Sequence, residues 1–141
     1  MNGGNWQIYA LASAFFAGLT AILAKLGVRD VDSNLATAIR TVVVLILAWG
    51  IVAAQGSYKV LPSLNGRAWL FLTLSGLATG ASWLCYFHAL KIGPASRVAP
   101  IDKLSVVFVI VLAALFLHEP LTWQTVVGAA LLVGGAVLLI R

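Results

Sequence analysis

Five runs of about twenty apolar residues follow one another along this chain, separated only by short polar connections. Each run is long enough, as a helix, to cross a hydrocarbon layer about 30 Å thick. Lipid offers no hydrogen bonds to a bare backbone, so such runs must close their own ladders as helices. The expected spans cover about residues 6–26, 34–54, 67–90, 99–117 and 123–140. The chain has 141 residues, of which 62% are hydrophobic and 9% charged, with mean hydropathy +1.03. A soluble domain carries roughly 25% charged residues. A water-soluble fold would have to bury nearly every helix on all sides, which a chain this short cannot do. The fold expected is an all-α polytopic membrane protein, one unit of five transmembrane helices with no soluble domain.

The connections support that division. "GVRDVDS" is polar and charged, and "QGSYKVLPSLNG" carries Gly, Pro and Asn as breakers. "KIGPASR" holds a Gly-Pro pair, which ends a helix because Pro cannot continue it and restricts the residue before it. "HEPLT" is a tight turn. The start, "MNGGNWQIYA", has no Lys or Arg ahead of its apolar run, so the first span is expected to be retained rather than cleaved as a signal peptide.

Net charge is +5, but the basic residues stand singly at helix ends. No basic run interleaved with aromatics is present, so nucleic acid is not an expected partner. The same residues predict topology. An odd number of spans puts the termini on opposite sides. Lys59 and Arg67 fall on the N-terminal side; Lys25, Arg29, Arg40, Lys91, Arg97, Lys103 and Arg141 fall on the other. Seven against two predicts a cytoplasmic C-terminus and an outside N-terminus, in the plasma (inner) membrane. Trp6, Trp49, Trp69 and Trp123 then all lie near the outer ends of their spans, as an interfacial belt does, and Trp83 alone lies deeper.

Charges within the spans are few, and their cost in lipid makes them the first candidates for function. Arg40 lies six residues into the second span, about 9 Å from its start. Asp102 and Lys103 stand side by side where the fourth span begins, at the same membrane face. One reading pairs Arg40 with Asp102 along an inner vestibule, near Tyr86 and His88. The other makes Asp102 a first-turn carboxylate just after Pro100, suited to the helix dipole, with Lys25 and Lys103 snorkelling to headgroups.

In the third span Ser75, Thr79, Ser82 and Tyr86 recur at steps of four, three and four, on one helical face. That stripe either lines a substrate path or bonds to its own and neighbouring helices. Trp83 is either an apolar platform for a ligand or a packing residue. Gly76 and Gly80 permit a close helix approach. In the last span Gly128, Ala130 and Gly134 are candidates for a self-association surface, with packing inside the monomer as the alternative.

Enzyme chemistry finds little support. No nucleophile–base set, phosphate loop or dinucleotide fingerprint occurs, and the adjacent His118 and Glu119 lack a third ligand at metal spacing. No cofactor and no metal site are expected. No Asp or Glu lies centrally in any span, so a buried proton carrier is not expected either. The single cysteine, Cys85, excludes an intrachain disulfide.

From "SWLCYFHALKIGPASRVAPIDKLSVVFVIVLAALFLHEPLTWQTVVGAALLVGG" the chain resembles the C-terminal part of an EamA-type domain of the drug/metabolite transporter superfamily. The elements that carry the likeness are "ALKIGPASRVAPI", "FLHEPLT" and "VGAALLVGGAVLL", in that order. "GLTAILAKLGVRDVDSNLATAIRT" is similar to the single-domain, five-helix members. The resemblance implies a secondary transporter of small metabolites, amino acids or other amphipathic compounds, working by alternating access. Ten-helix relatives carry two such units in inverted orientation, which implies that a single unit works as a homodimer or with a related five-helix chain. Inverted repeats with a substrate site at their interface are a general transporter design. In the related small multidrug resistance family the last helix mediates dimerisation. That family's intramembrane Glu in the first helix is absent here, so its proton exchange does not carry over. Under this reading Arg40, Ser75, Thr79, Trp83, Tyr86 and Asp102 are the substrate-cavity candidates. The alternatives are a non-transporting membrane subunit, or a half-transporter inactive without its partner. A channel is disfavoured because no ring of repeated polar residues suggests a filter.

Overall fold

The computed structural model describes residues 5–140. Arg141, one of the residues that set the predicted topology, lies outside them. The described elements are all helical: α1 (Trp6–Gly27), α2 (Ser33–Gln55), a 3-10 segment (Ser57–Ser63), α3 (Gly66–Ile92), α4 (Ala95–Asp102), α5 (Ser105–Phe116) and α6 (Trp123–Ile140). Taking α4 and α5 as one span, Ala95–Phe116, five helices among the described residues are long and apolar enough to cross a membrane. At 1.5 Å per residue they run about 27 to 40 Å, enough for the hydrocarbon layer. Large apolar side chains cover the outside, with Phe116 77% and Ile92 76% exposed. A water-soluble protein does not present such a surface; lipid removes its cost. The chain is a multi-pass membrane protein.

Local chemistry sets the helix ends. The Asp32 carboxylate accepts from the amides of Asn34 and Leu35 at 2.9 and 3.2 Å and starts α2. Asn65 accepts from Ala68 at 2.8 Å and starts α3. The Thr122 hydroxyl accepts from the Thr125 amide at 3.2 Å and starts α6. Each side chain satisfies an amide that the first helical turn leaves unpaired. At the far end of α2, Gly56 takes φ 70° and its amide donates back to Val52 and Ala53. Only glycine adopts that left-handed geometry without a steric penalty.

The fourth span differs from the expectation in two ways. It starts at Ala95 behind Pro94, not near residue 99, and so includes the polar Ser96 and Arg97. Pro100 lies inside α4, and Asp102 is its last residue. The expected first-turn role for Asp102 therefore does not hold on α4; the carboxylate sits at the helix's carbonyl end. The span is then interrupted. The Leu104 amide bonds Ile101, Val106 bonds Lys103 and Val107 bonds Leu104, all three residues back, across the joint and into the first turn of α5, which starts at Ser105. Three-residue bonds tighten the ladder and re-aim the chain. Asp102 and Lys103 stand at that joint, their charges 3.6 Å apart and solvent-accessible. The turn after α5 places His118 at φ 56°, with Leu117 and Glu119 both donating to the Ala113 carbonyl.

The chain divides into two compact units. One comprises residues 23–91. Its buried residues are Ala24, Val28, Ser33, Thr37, Phe87 and Leu90, all at the C-terminal ends of α1 and α3 and the N-terminal end of α2. Lys25 reaches from α1 to the Leu90 carbonyl at 2.6 Å, and Lys91 reaches from α3 to the Val31 carbonyl at 3.0 Å. These ammonium groups satisfy carbonyls that helix and loop ends leave open, and they complement the helix dipoles. Lys25 is thus a structural clasp, not only a headgroup anchor. The other unit comprises residues up to Ile22 and from Ile92 onward. Within it α6 packs on α4 and α5, and Ala136 is its buried point on α6.

Candidate functional site

The site is built on the facing ends of α2 and α3. Arg40 lies seven residues after the first residue of α2, about 10 Å along its axis. Its guanidinium carbon stands 4.2 Å from the centroid of the Trp83 ring and 5.3 Å from that of Phe87. Both distances lie within the range over which a cation is attracted by an aromatic face. Trp83 and Phe87 are four residues apart on α3, so one helical face offers both rings to one cation. Phe87 is buried, while Arg40, Trp83 and Tyr86 are half-buried. The Tyr86 and Phe87 rings meet edge to face, 6.3 Å between centroids.

The cation is held by π-faces and not by a carboxylate. Among the described residues Arg40 makes no ion pair and donates no hydrogen bond to a protein acceptor. A guanidinium carries five N–H donors in a planar fork. Attraction to a ring face uses the cation's charge without spending those donors.

The α2 side of the site has its own polar order. Thr37 donates to the Ser33 carbonyl and Thr41 to the Thr37 carbonyl, each at 2.8 Å. These back-bonds let hydroxyls lie in an apolar layer without unpaired donors. On α3, Thr79 does the same toward the Ser75 carbonyl at 2.9 Å. Its hydroxyl hydrogen is therefore committed to its own helix, and the lone pairs remain as acceptors. Ser75 and Ser82 are exposed on the same helix.

The structure thus brings together Arg40 and Trp83. Phe87, which sequence reasoning passed over, belongs with them, and Thr37, also passed over, is buried one turn before Arg40 on α2. The signal for Phe87 was its four-residue spacing from Trp83; for Thr37 it was the Ser33–Thr37–Arg40 spacing of four and three. Asp102 belongs to the other compact unit, where its charged neighbour is Lys103. His88 is exposed at the end of α3. Of the five tryptophans, Trp83 is the half-buried one, whereas Trp6, Trp49, Trp69 and Trp123 are 50% to 71% exposed near helix ends. Gly128, Ala130 and Gly134 all lie exposed on α6. Among the described residues, a Cβ added at Gly76, Gly80, Gly128 or Gly134 would meet nothing within 4 Å, so none of these glycines makes a close approach to them.

Outside the membrane-spanning segments, Asp32 holds its proton less tightly than an ordinary carboxylate. The amides of Leu35 and then Asn34 that it caps favour the charged form, against a small opposing cost of desolvation, and Lys91 adds to the effect.

Comparison with known proteins agrees with this architecture. A protein of Sinorhizobium sp. described as an uncharacterized transporter in the cobO 3′ region is 55% identical over 135 residues, covering 96% of each chain. No solved structure matches the chain at a significant level. The EamA-like transporter family matches residues 4–141, nearly end to end, and the chain belongs to that family of membrane transporters.

Proposed function

We propose that the protein moves small metabolites or amphipathic compounds across the plasma membrane by alternating access, and that the Arg40–Trp83 pair is the heart of its substrate site. The observation that carries this reading is a guanidinium inside a membrane span, stacked on aromatic faces, with its donor edge uncommitted to protein acceptors. A cation kept at that depth is costly and marks a solute path. Such a site suits a solute with a carboxylate or carbonyl group for the guanidinium and an apolar body for Trp83. Ser75, Thr79 and Tyr86 supply further polar contacts along α3. Asp102, at the joint between α4 and α5, is a second polar station and a hinge candidate, because broken helices in transporters expose backbone groups where solutes and ions bind.

Five helices are few to enclose a solute path, so the working unit is an oligomer, a homodimer or a pairing with a related five-helix chain. The exposed small residues Gly128, Ala130 and Gly134 on α6 support association through that helix. The strong charge bias favours one insertion direction, N-terminus out and C-terminus in, and so favours a parallel dimer or an oppositely oriented partner over an inverted homodimer.

The test is saturable binding of solutes from a panel of amino acids and amphipathic metabolites to the purified chain in detergent. Binding lost in Arg40→Ala and weakened in Trp83→Leu, with folding retained, is expected. Binding and transport unchanged in both Arg40→Ala and Asp102→Ala would remove the assigned site.

A further inference from the structure

A cavity lies apart from the proposed solute site, at the ends of α1 and α3. It holds about 290 Å³ and is lined by Lys25, Leu26, Val28, Arg29 and Lys91. Three of its five lining residues are cations from two helices and the loop between α1 and α2. Lys25 and Lys91 each donate to a backbone carbonyl, of Leu90 and Val31. A carbonyl fixes an ammonium without cancelling its charge, and an ammonium has three donors. Both lysines are thereby held in place at the cavity wall. Arg29 makes no ion pair among the described residues. Asp30 and Asp32 are the nearby carboxylates in sequence; neither lines the cavity, and Asp32, which caps the amides that start α2, also attracts Lys91 from outside it.

We propose that this cavity binds the phosphate of an anionic membrane lipid. Its depth decides the source of the phosphate. α1 ends at Gly27 and α3 at Ile92, so the cavity opens where membrane-spanning helices end, at headgroup level. Leu26 and Val28 supply an apolar wall beside the cations, matching the junction between a lipid's phosphate and its acyl chains. Basic pockets between helix ends on the cytoplasmic side are the usual seats of anionic headgroups. A bound lipid would bridge α1, the loop after it and α3, the same elements that Lys25 and Lys91 clasp. None of the residues involved belongs to the Arg40–Trp83 site, so this proposal stands whether or not that reading holds.

The test uses the purified, delipidated full-length chain and native mass spectrometry with phosphatidylglycerol, phosphatidylcholine or inorganic phosphate as the added probe. Phosphatidylglycerol should be retained over phosphatidylcholine, and Arg29→Gln or Lys91→Gln should each weaken that retention about fivefold, the effect expected of one cation near an anionic headgroup. Arg29→Gln, in a loop and not holding a carbonyl, keeps the test valid should Lys91→Gln fold poorly. Lys59→Gln and Arg67→Gln remove the same charge at other helix ends and should leave retention unchanged. Equal retention of the two lipids would overturn the proposal, as would loss of retention in the Lys59 and Arg67 variants to the same degree. Displacement of phosphatidylglycerol by millimolar inorganic phosphate would assign the cavity to a free phosphate and overturn the lipid assignment.

Discussion

Removing Arg40 and Trp83 singly and together measures whether the stacked pair is an interaction or a coincidence of position. Arg40→Met keeps most of the side chain's length without its charge, and Trp83→Leu keeps an apolar residue without a ring face. A cation within about 6 Å of a ring centroid gains about 0.5–1 kcal/mol when exposed and about 2 kcal/mol when desolvated. Arg40 and Trp83 are half-buried in a membrane span, and the guanidinium stands at 4.2 Å, so the coupling energy expected is about 1–2 kcal/mol. For Phe87, at 5.3 Å and with a weaker ring, about 0.5–1 kcal/mol is expected in the corresponding Phe87→Leu cycle. The assay is reversible unfolding of the full chain in mixed micelles, with free energies for the wild type, each single variant and the double variant. A coupling of about 1–2 kcal/mol changes the folded-to-unfolded ratio roughly 5- to 30-fold, well within reach of measurement. Independent sites add to within about 0.3–0.5 kcal/mol. A coupling below that limit, or a larger coupling to Phe87 than to Trp83, would refute the stacking geometry and with it the preformed site.

Three further outcomes follow from named contacts. Asp32→Ala should destabilise α2 at neutral pH. Because capping lowers the folded-state pKa of Asp32, its contribution is fully present above the ordinary carboxylate value of about 4 and fades as pH falls through the lower folded value. The gap in unfolding midpoint between wild type and Asp32→Ala should stay constant from pH 7 to about 4 and narrow below it; a gap independent of pH down to 2.5 would contradict the cap. Lys25→Met should cost roughly 1–2 kcal/mol in the same unfolding assay, the range for a partly exposed hydrogen bond to a charged group, through loss of the bond to the Leu90 carbonyl. Gly134→Ala should reduce oligomer content in light-scattering measurements without lowering the unfolding midpoint of the single chain, since the added Cβ has no described atom within 4 Å outside its own helix turn.

The membrane character of the chain was legible because it is written in lengths: no soluble core could absorb five such apolar runs. What sequence reasoning could not supply was pairing. Arg40 and Trp83 were both conspicuous, one as a charge within a span and one as a deep aromatic, but their contact depends on how α2 and α3 face each other. Phe87 read as one apolar residue among many until a cation stood over it. The fourth span shows a different failure. Hydropathy marks where polar residues stop, whereas a helix begins where its amides first find partners. Ser96 and Arg97 therefore hid the true start behind Pro94, and Pro100 was taken for a first-turn proline. The interruption at Lys103 and Leu104 was invisible because the residues around it are apolar and helix-compatible. Lys25 was read as a headgroup anchor because its acceptor, the Leu90 carbonyl, lies 65 residues away in sequence.

Solute uptake by proteoliposomes containing this chain alone tests transport most directly. The panel is the one used for binding, with protein-free liposomes and the folded Arg40→Ala variant as controls. Saturable uptake of at least one solute above the protein-free rate, reduced tenfold or more in Arg40→Ala, is the result expected. Uptake at the protein-free rate across every solute that binds the folded chain would contradict transport by this chain as a homo-oligomer, and uptake undiminished in Arg40→Ala would contradict the assigned site.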